Sequence, residues 1–391
     1  MDFLQRFFSY GFRPFFLLGV IYSIVALGVW LLIWRGSIMP DWNRVPVFWH
    51  AHDMIMGLMA AAMAGFLLTA VANWTSRPPV SGWPLAVLVM FWSAGRFGLQ
   101  SATISAIADL LFWGLLTALI AREVFAARNK RNYKIVMILA LMLLLDGLFH
   151  LGELQLLVVL DLRQLLWAQL WLVIVLINIV GGRVIPAFTG NWLRRQQVAG
   201  TIRSSAAMPA DFGKPDILAI GLLLAFAVSV VLQLPPPVTV PLGLLCFLAQ
   251  AWRFIRWKFW LTFSDPLVWM MHLSYAWLLV GILLWTMSVA DMLPVSAAIH
   301  ALTIGAVASM IVSVAARAAL GHTGRPLQTH WLLTSTIILL SLAALSRIIA
   351  AGVSAQWWLE LSAGLWMLAM LCFALRYAPM LLGRSAQQPR G

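Results

Sequence analysis

Twelve stretches of roughly 20 mostly apolar residues follow one another from residue 15 to residue 382, and no other feature limits the fold as much. A run of that length crosses the hydrocarbon core of a bilayer as a helix. In lipid, every backbone N–H and C=O must be satisfied inside the spanning element, which leaves only helices and closed barrels. The runs here are continuous rather than alternating, so they read as helices and not as barrel strands. The expected fold is all-α: a polytopic membrane protein with 12 transmembrane helices. The spans lie at about 15–35, 49–72, 82–100, 103–126, 134–152, 165–189, 215–233, 239–257, 267–289, 294–318, 330–350 and 356–382. Composition agrees: 62% of the residues are hydrophobic and 10% are charged, against roughly 25% charged in soluble domains.

Charge fixes the expected orientation. With both termini cytoplasmic, 21 of the 26 Lys and Arg residues fall on the inner side. Only Arg35, Arg44, Arg96, Arg163 and Arg347 fall outside, as the positive-inside rule requires. The basic balance, 26 Lys+Arg against 13 Asp+Glu, therefore reads as cytoplasmic loop charge and not as a nucleic-acid surface. Residues 1–391 read as a single integral membrane domain, with 190–214 as the hinge between halves. The N-terminal stretch "MDFLQRFFSYGFRPFF" has no cleavage site and reads as retained. Cys246 and Cys372 both sit in apolar runs, which argues against a structural disulfide. No phosphate loop, nucleophilic triad or cysteine-rich zinc site is present in the sequence.

Polarity inside the spans is where function is expected. His50 and His52 open the second span, His150 ends the fifth, and His300 lies about two turns into the tenth. Topology puts these four in the outer half of the membrane. His272 approaches from the inner end of span 9, and His322 and His330 flank an inner loop. Imidazoles converging from separate helices are how bundles hold haem iron or copper. His300, His52, His50 and His150 are the candidate metal ligands. His272 and Arg96 are further cofactor-binding candidates, since Arg44, Arg96 and Arg163 lie where haem propionates would point.

His50 and His52 are about 200° apart on an ideal helix, so they cannot share one ion without local unwinding. His52, Met56, Met59 and Met63 form a stripe at helical spacing, but methionine is ordinary packing filler and the stripe is not assigned a role. Asp146 is one turn from His150 and can orient it, as carboxylates behind metal ligands do. Asp53 is a second such carboxylate beside His50. His322 sits in a glycine-containing turn where a structural role is at least as natural. His330 reads as a helix start.

A shift of 248 residues lays span 2 on span 10, with seven identities in 27 positions. His52 meets His300 and Gly57 meets Gly305; Thr75, Arg77 and Pro78 meet Thr323, Arg325 and Pro326. Span 6 joins more weakly, with Thr189-Gly190 on Thr323-Gly324. Spans four apart thus hint at a pseudo-threefold arrangement of four-helix units. Such an arrangement resembles the catalytic subunit of haem–copper oxidases and nitric oxide reductases, but the paired histidines those chains carry late in the sequence are absent.

The blocks "GFRPFFLLG" (11–19), "FWHAHDMIMG" (48–57), "GRVIPAFTGNWLRR" (182–195), "GHTGRPL" (321–327) and "RYAPML" (376–381) resemble the NnrS family in the family's order. The resemblance implies a bacterial inner-membrane protein of the nitric oxide response that contains haem, expected as b-type, and copper. His50, His52, His150, His272, His300 and His322 match the family's recurrent histidines, while Asp53 stands where the family more often has Glu. The expected partners are the lipid bilayer, nitric oxide or a related small ligand, and an electron donor. Two other readings remain: a secondary transporter of a metal or small solute using the same histidines, and a b-type cytochrome subunit that only passes electrons. A tightly held chromophore separates the first and third readings from the transporter.

Overall fold

In the computed structural model, residues 2–39, 44–97, 101–159, 161–201, 208–353 and 355–386 are described. The protein is 81% helical, and no strand occurs among the described residues. A five-residue turn of helix, Phe3–Phe7, precedes the first long element. The long helices are α1 (Phe12–Trp34), α2 (Pro46–Thr75), α3 (Trp83–Phe97), α4 (Ala102–Ala126), α5 (Tyr133–Glu153) and α6 (Leu162–Val198). They continue as α7 (Lys214–Val231), α8 (Pro236–Arg256), α9 (Pro266–Val289), α10 (Val295–His322), α11 (Trp331–Gly352) and α12 (Trp357–Leu382). Eleven of them are long and apolar enough to cross a membrane. The expected span at 82–100 corresponds to α3, whose 15 described residues end where positions 98–100 leave the described set.

Helix starts follow local chemistry. Ser101 caps α4 by accepting from the Ile104 N–H, and Asp265 caps α9 by accepting from Leu267 N at 2.9 Å. Proline occupies the first turn of α2, α7, α8 and α9, where its missing N–H leaves nothing unpaired. His330 caps α11 through Nδ1, which accepts from Leu332 N, in line with its reading as a helix start.

The expected hinge at 190–214 is corrected in its first half, because α6 runs on for 37 residues to Val198. "GNWLRRQQV" is amphipathic on a helix. Trp192 and Leu193 bury themselves against Val268 and Leu261, while Asn191 and Arg194 bond to each other at 2.8 Å on the exposed side. Burial of the two apolar side chains outweighs the glycine and the loop-like polarity. Positions 202–207 of the same stretch lie outside the described residues.

The chain groups into two compact units, one of residues 1–172, 315–326 and 370–391 and one of residues 173–314 and 327–369. The sequence echo is visible locally in each. In the first unit, α2 widens to a π-helix over Met54–Met59; in the second, α10 widens over Ala301–Ala308. Shifted by 248, the first segment falls inside the second; they begin two residues after His52 and one after His300. A π segment carries one extra residue and leaves carbonyls short of partners. In the first unit Trp92 Nε1 covers them, donating to Met56 O at 2.9 Å and to Gly57 O at 3.2 Å. Each π segment also packs its glycine on an aromatic ring of the helix before it. A Cβ on Gly57 would lie 2.5 Å from the Tyr22 ring, and one on Gly305 would lie 2.5 Å from Trp277.

Gly57→Ala and Gly305→Ala are each expected to destabilise the protein by about 1–3 kcal/mol through overpacking. Gly28→Ala, with open space around it, should not. Thermal unfolding followed by tryptophan fluorescence checks this, and equal midpoints for Gly57→Ala and Gly28→Ala would refute the packing account.

Candidate metal centre

The first unit gathers its polar side chains at one place. Asp146 sits two turns before the end of α5, and its Oδ1 lies 2.9 Å from His52 Nε2 of α2. His150, one turn further along α5, places Nε2 at 3.5 Å from Asp109 Oδ2 of α4 and 3.6 Å from Asp146 Oδ2. His52, Asp109, Asp146 and His150 are all buried, and one ligand atom from each lies within 4.8 Å of the others. The two imidazoles meet edge to face with centroids 5.0 Å apart, and Phe149 stacks on His52 at 4.4 Å. This aromatic cover keeps water away from one face of the group.

A second layer of charge surrounds these four. Arg96 of α3, 1% exposed, donates to Asp53 Oδ1 at 2.8 Å and through Nη2 to Asp109 Oδ2. Tyr22 of α1 donates to the same Asp53 oxygen at 2.5 Å. On the other side, Glu153 Oε2 lies 3.5 Å from His150 Nδ1 and Glu153 Oε1 lies 3.3 Å from Arg44 Nε. Asp109 reaches this position only because residue 95 is glycine: a Cβ there would lie 2.4 Å from Asp109 Oδ1.

The other sequence candidates are not among the four donors. His50 stacks on Trp30 at 4.5 Å, on a different face of α2 from His52, as their angular separation requires. Asp53 engages Tyr22 and Arg96 and is not one of the four clustered donors. Met56 Sδ accepts from the Trp113 indole at 3.1 Å and is not a donor to the group. His300, in the second unit, donates from Nδ1 to Ser296 O at 2.6 Å. His272, also in the second unit, bonds Thr189 Oγ1 through Nε2 at 2.9 Å. Thr189 already donates to Ile185 O, so the His272 proton sits on Nε2 and its buried Nδ1 has no hydrogen-bond partner. His322 rests against the rings of Phe12 and Tyr10.

Asp109, Glu153 and Tyr22 escaped sequence analysis. Asp109 is a lone carboxylate in the apolar run 103–126, and the rule that flagged the histidines applies to it equally. The second unit holds another buried ionic knot that sequence analysis did not single out. There Arg253 donates to Asp216 Oδ1 and to Asn178 Oδ1, both at 2.7 Å, and Tyr275 donates to Gln250. It contains no histidine and one carboxylate, so it offers no comparable donor set.

A family model described as NnrS protein matches residues 6–384, nearly the whole chain. The chain belongs to the NnrS family. No protein of curated function matches it. Its apolar helices make it a multi-pass membrane protein of that family, and its buried His/Asp group could hold a metal ion.

Removing Arg96 leaves Asp53 and Asp109 buried without their cation, so Arg96→Met should destabilise the NnrS chain by about 3–5 kcal/mol. The double variant Arg96→Met/Asp109→Asn should recover part of that loss, because one stranded charge is removed with its partner. Midpoints of thermal unfolding check both, and a double variant as unstable as the sum of its singles would contradict the pairing.

Proposed function

We propose that this NnrS chain is a twelve-span metalloprotein of a bacterial inner membrane, with both termini cytoplasmic, that acts in the response to nitric oxide. In this reading residues 1–391 form one membrane-embedded domain, copper is held by His52, Asp109, Asp146 and His150, and a b-type haem is held in the second unit. The observation that carries the metal reading is the convergence of those four buried donors.

The donor set fits an ion. Separations of 3.5 and 3.6 Å between His150 Nε2 and the two carboxylates approach the ~3.4 Å edge of a tetrahedron with bonds of ~2.1 Å. Charge points the same way. Asp53, Asp109, Asp146 and Glu153 face Arg96 and Arg44, which leaves two negative charges in excess when both imidazoles are neutral. A divalent cation balances that excess, and uncompensated buried charge costs several kcal/mol. Two imidazoles and two carboxylates suit a borderline ion such as Cu(II) better than Cu(I), because no thioether joins them.

The same cluster does not fit a haem. Four donors within 4.8 Å, with Phe149 stacked on His52, leave no slot for a macrocycle. The haem reading therefore rests on His300 and His272. With its Nδ1 proton given to Ser296 O, His300 would hold the iron through Nε2. The buried Nδ1 of His272 is likewise an acceptor nitrogen. Bound haem and copper would supply one-electron chemistry and a coordination position for nitric oxide. The chain's own residues hold the ligands in register: Glu153 faces the far nitrogen of His150, and Arg96 offsets the charge of Asp109.

The test is an optical spectrum and a metal analysis of the same purified sample, oxidised and reduced. A Soret band that sharpens on reduction, with copper near one equivalent, is expected. Asp146→Asn and His150→Ala should weaken copper binding by about 10-fold or more and leave the Soret band in place, while His300→Ala should do the reverse. A flat spectrum after haem supplementation would overturn the haem reading, and copper retained in both first-unit variants would overturn the copper assignment.

A further inference from the structure

Three of the recurring sequence blocks take no part in the metal centre, and all three meet at one place in the first unit. Arg13 of the block 11–19 reaches the end of α12, which carries the block 376–381. Its Nη1 donates to Leu381 O at 2.8 Å and Gly383 O at 2.9 Å, and its Nη2 donates to Ser385 Oγ at 3.2 Å. The block 321–327 closes over the same segment. Ala386 N donates to Thr323 O at 2.8 Å, and Arg325 Nη2 donates to Arg384 O at 3.4 Å. Tyr10 and Phe12 pack on the exposed His322 ring from the other side.

Charge at this junction is one-sided. Arg325 and, more weakly, Arg6 both repel the Arg13 charge. Among the described residues, none of the three forms an ion pair with a carboxylate. The nearest acid in sequence, Asp2, accepts from Gln5 N. Arg13 is 3% exposed, and the carbonyls it bonds at the end of α12 carry only about half a negative charge in total. Each guanidinium also keeps a buried N–H with no acceptor: Nε of Arg6, Nε of Arg13 and Nη1 of Arg325. Three unpaired donors on three cations call for a ligand with several acceptor oxygens and a full negative charge.

We propose that Arg6, Arg13 and Arg325 form a binding site for a phosphate-type oxyanion at the end of the protein where α1 starts and α12 finishes. Arg6 and Arg325 are half-buried, so the site opens toward water at the membrane boundary. Two sources present this chemistry there: the headgroup of an anionic phospholipid and free inorganic phosphate. The site owes nothing to the metal centre and stands or falls separately from it.

The experiment measures binding to the full-length protein in nanodiscs of phosphatidylcholine, titrated with phosphatidylglycerol or with inorganic phosphate. Arg325→Gln and Arg6→Gln are the variants, since neither side chain caps α12. Wild type is expected to retain phosphatidylglycerol, and each variant should weaken that by about tenfold, the worth of one charge-assisted hydrogen bond. Unchanged unfolding midpoints in pure phosphatidylcholine show that the variants are folded. Displacement of the lipid by inorganic phosphate identifies the free ion as the ligand, and resistance to displacement identifies the headgroup. Wild-type affinity in both variants, or no binding of either ligand to wild type, would overturn the site.

Discussion

The ion pair between Arg96 and its two carboxylates, Asp53 and Asp109, is the contact on which the first unit depends. A guanidinium inside a membrane protein is tolerated only when its charge is matched at close range. Meeting that condition draws α2, α3 and α4 together at one level, and Gly95 supplies the space for the Asp109 carboxyl. Once Asp109 is pinned, His150 faces it, Asp146 turns to His52, and the four donors converge as a consequence. Electrostatic matching in a dry interior thus produces a site whose four carboxylates outnumber its two guanidiniums, and that excess is what a cation can answer.

Much of this was legible in the sequence. Helix positions follow from apolar run length, and the observed ends fall within a few residues of the expected ones for most spans. The separation of His50 from His52 follows from helix geometry alone. The extent of α6 was not legible, because loop composition competes there with an amphipathic face whose partners, Val268 and Leu261, are distant in sequence. Asp109 was missed for a different reason. One carboxylate in an apolar run carries no local sign of its partner, and Arg96 lies 13 residues earlier, on the preceding helix. The pairing exists only in three dimensions.

The π segments give the sequence echo a physical meaning. Each follows a histidine, and each seats a glycine against a ring from the preceding helix, Tyr22 in one unit and Trp277 in the other. A widened turn costs hydrogen bonds and is rarely kept without a use. Here Met56, inside the widened segment after His52, accepts from the Trp113 indole. The same device follows His300 in the second unit.

The most direct measurement is an anomalous-scattering map at the copper edge from crystals of the metal-loaded protein. The account predicts one strong peak bounded by His52, Asp109, Asp146 and His150, with nitrogen and oxygen as its only neighbours. A peak at another set of residues, or no peak at this cluster in protein shown by analysis to contain copper, would contradict it.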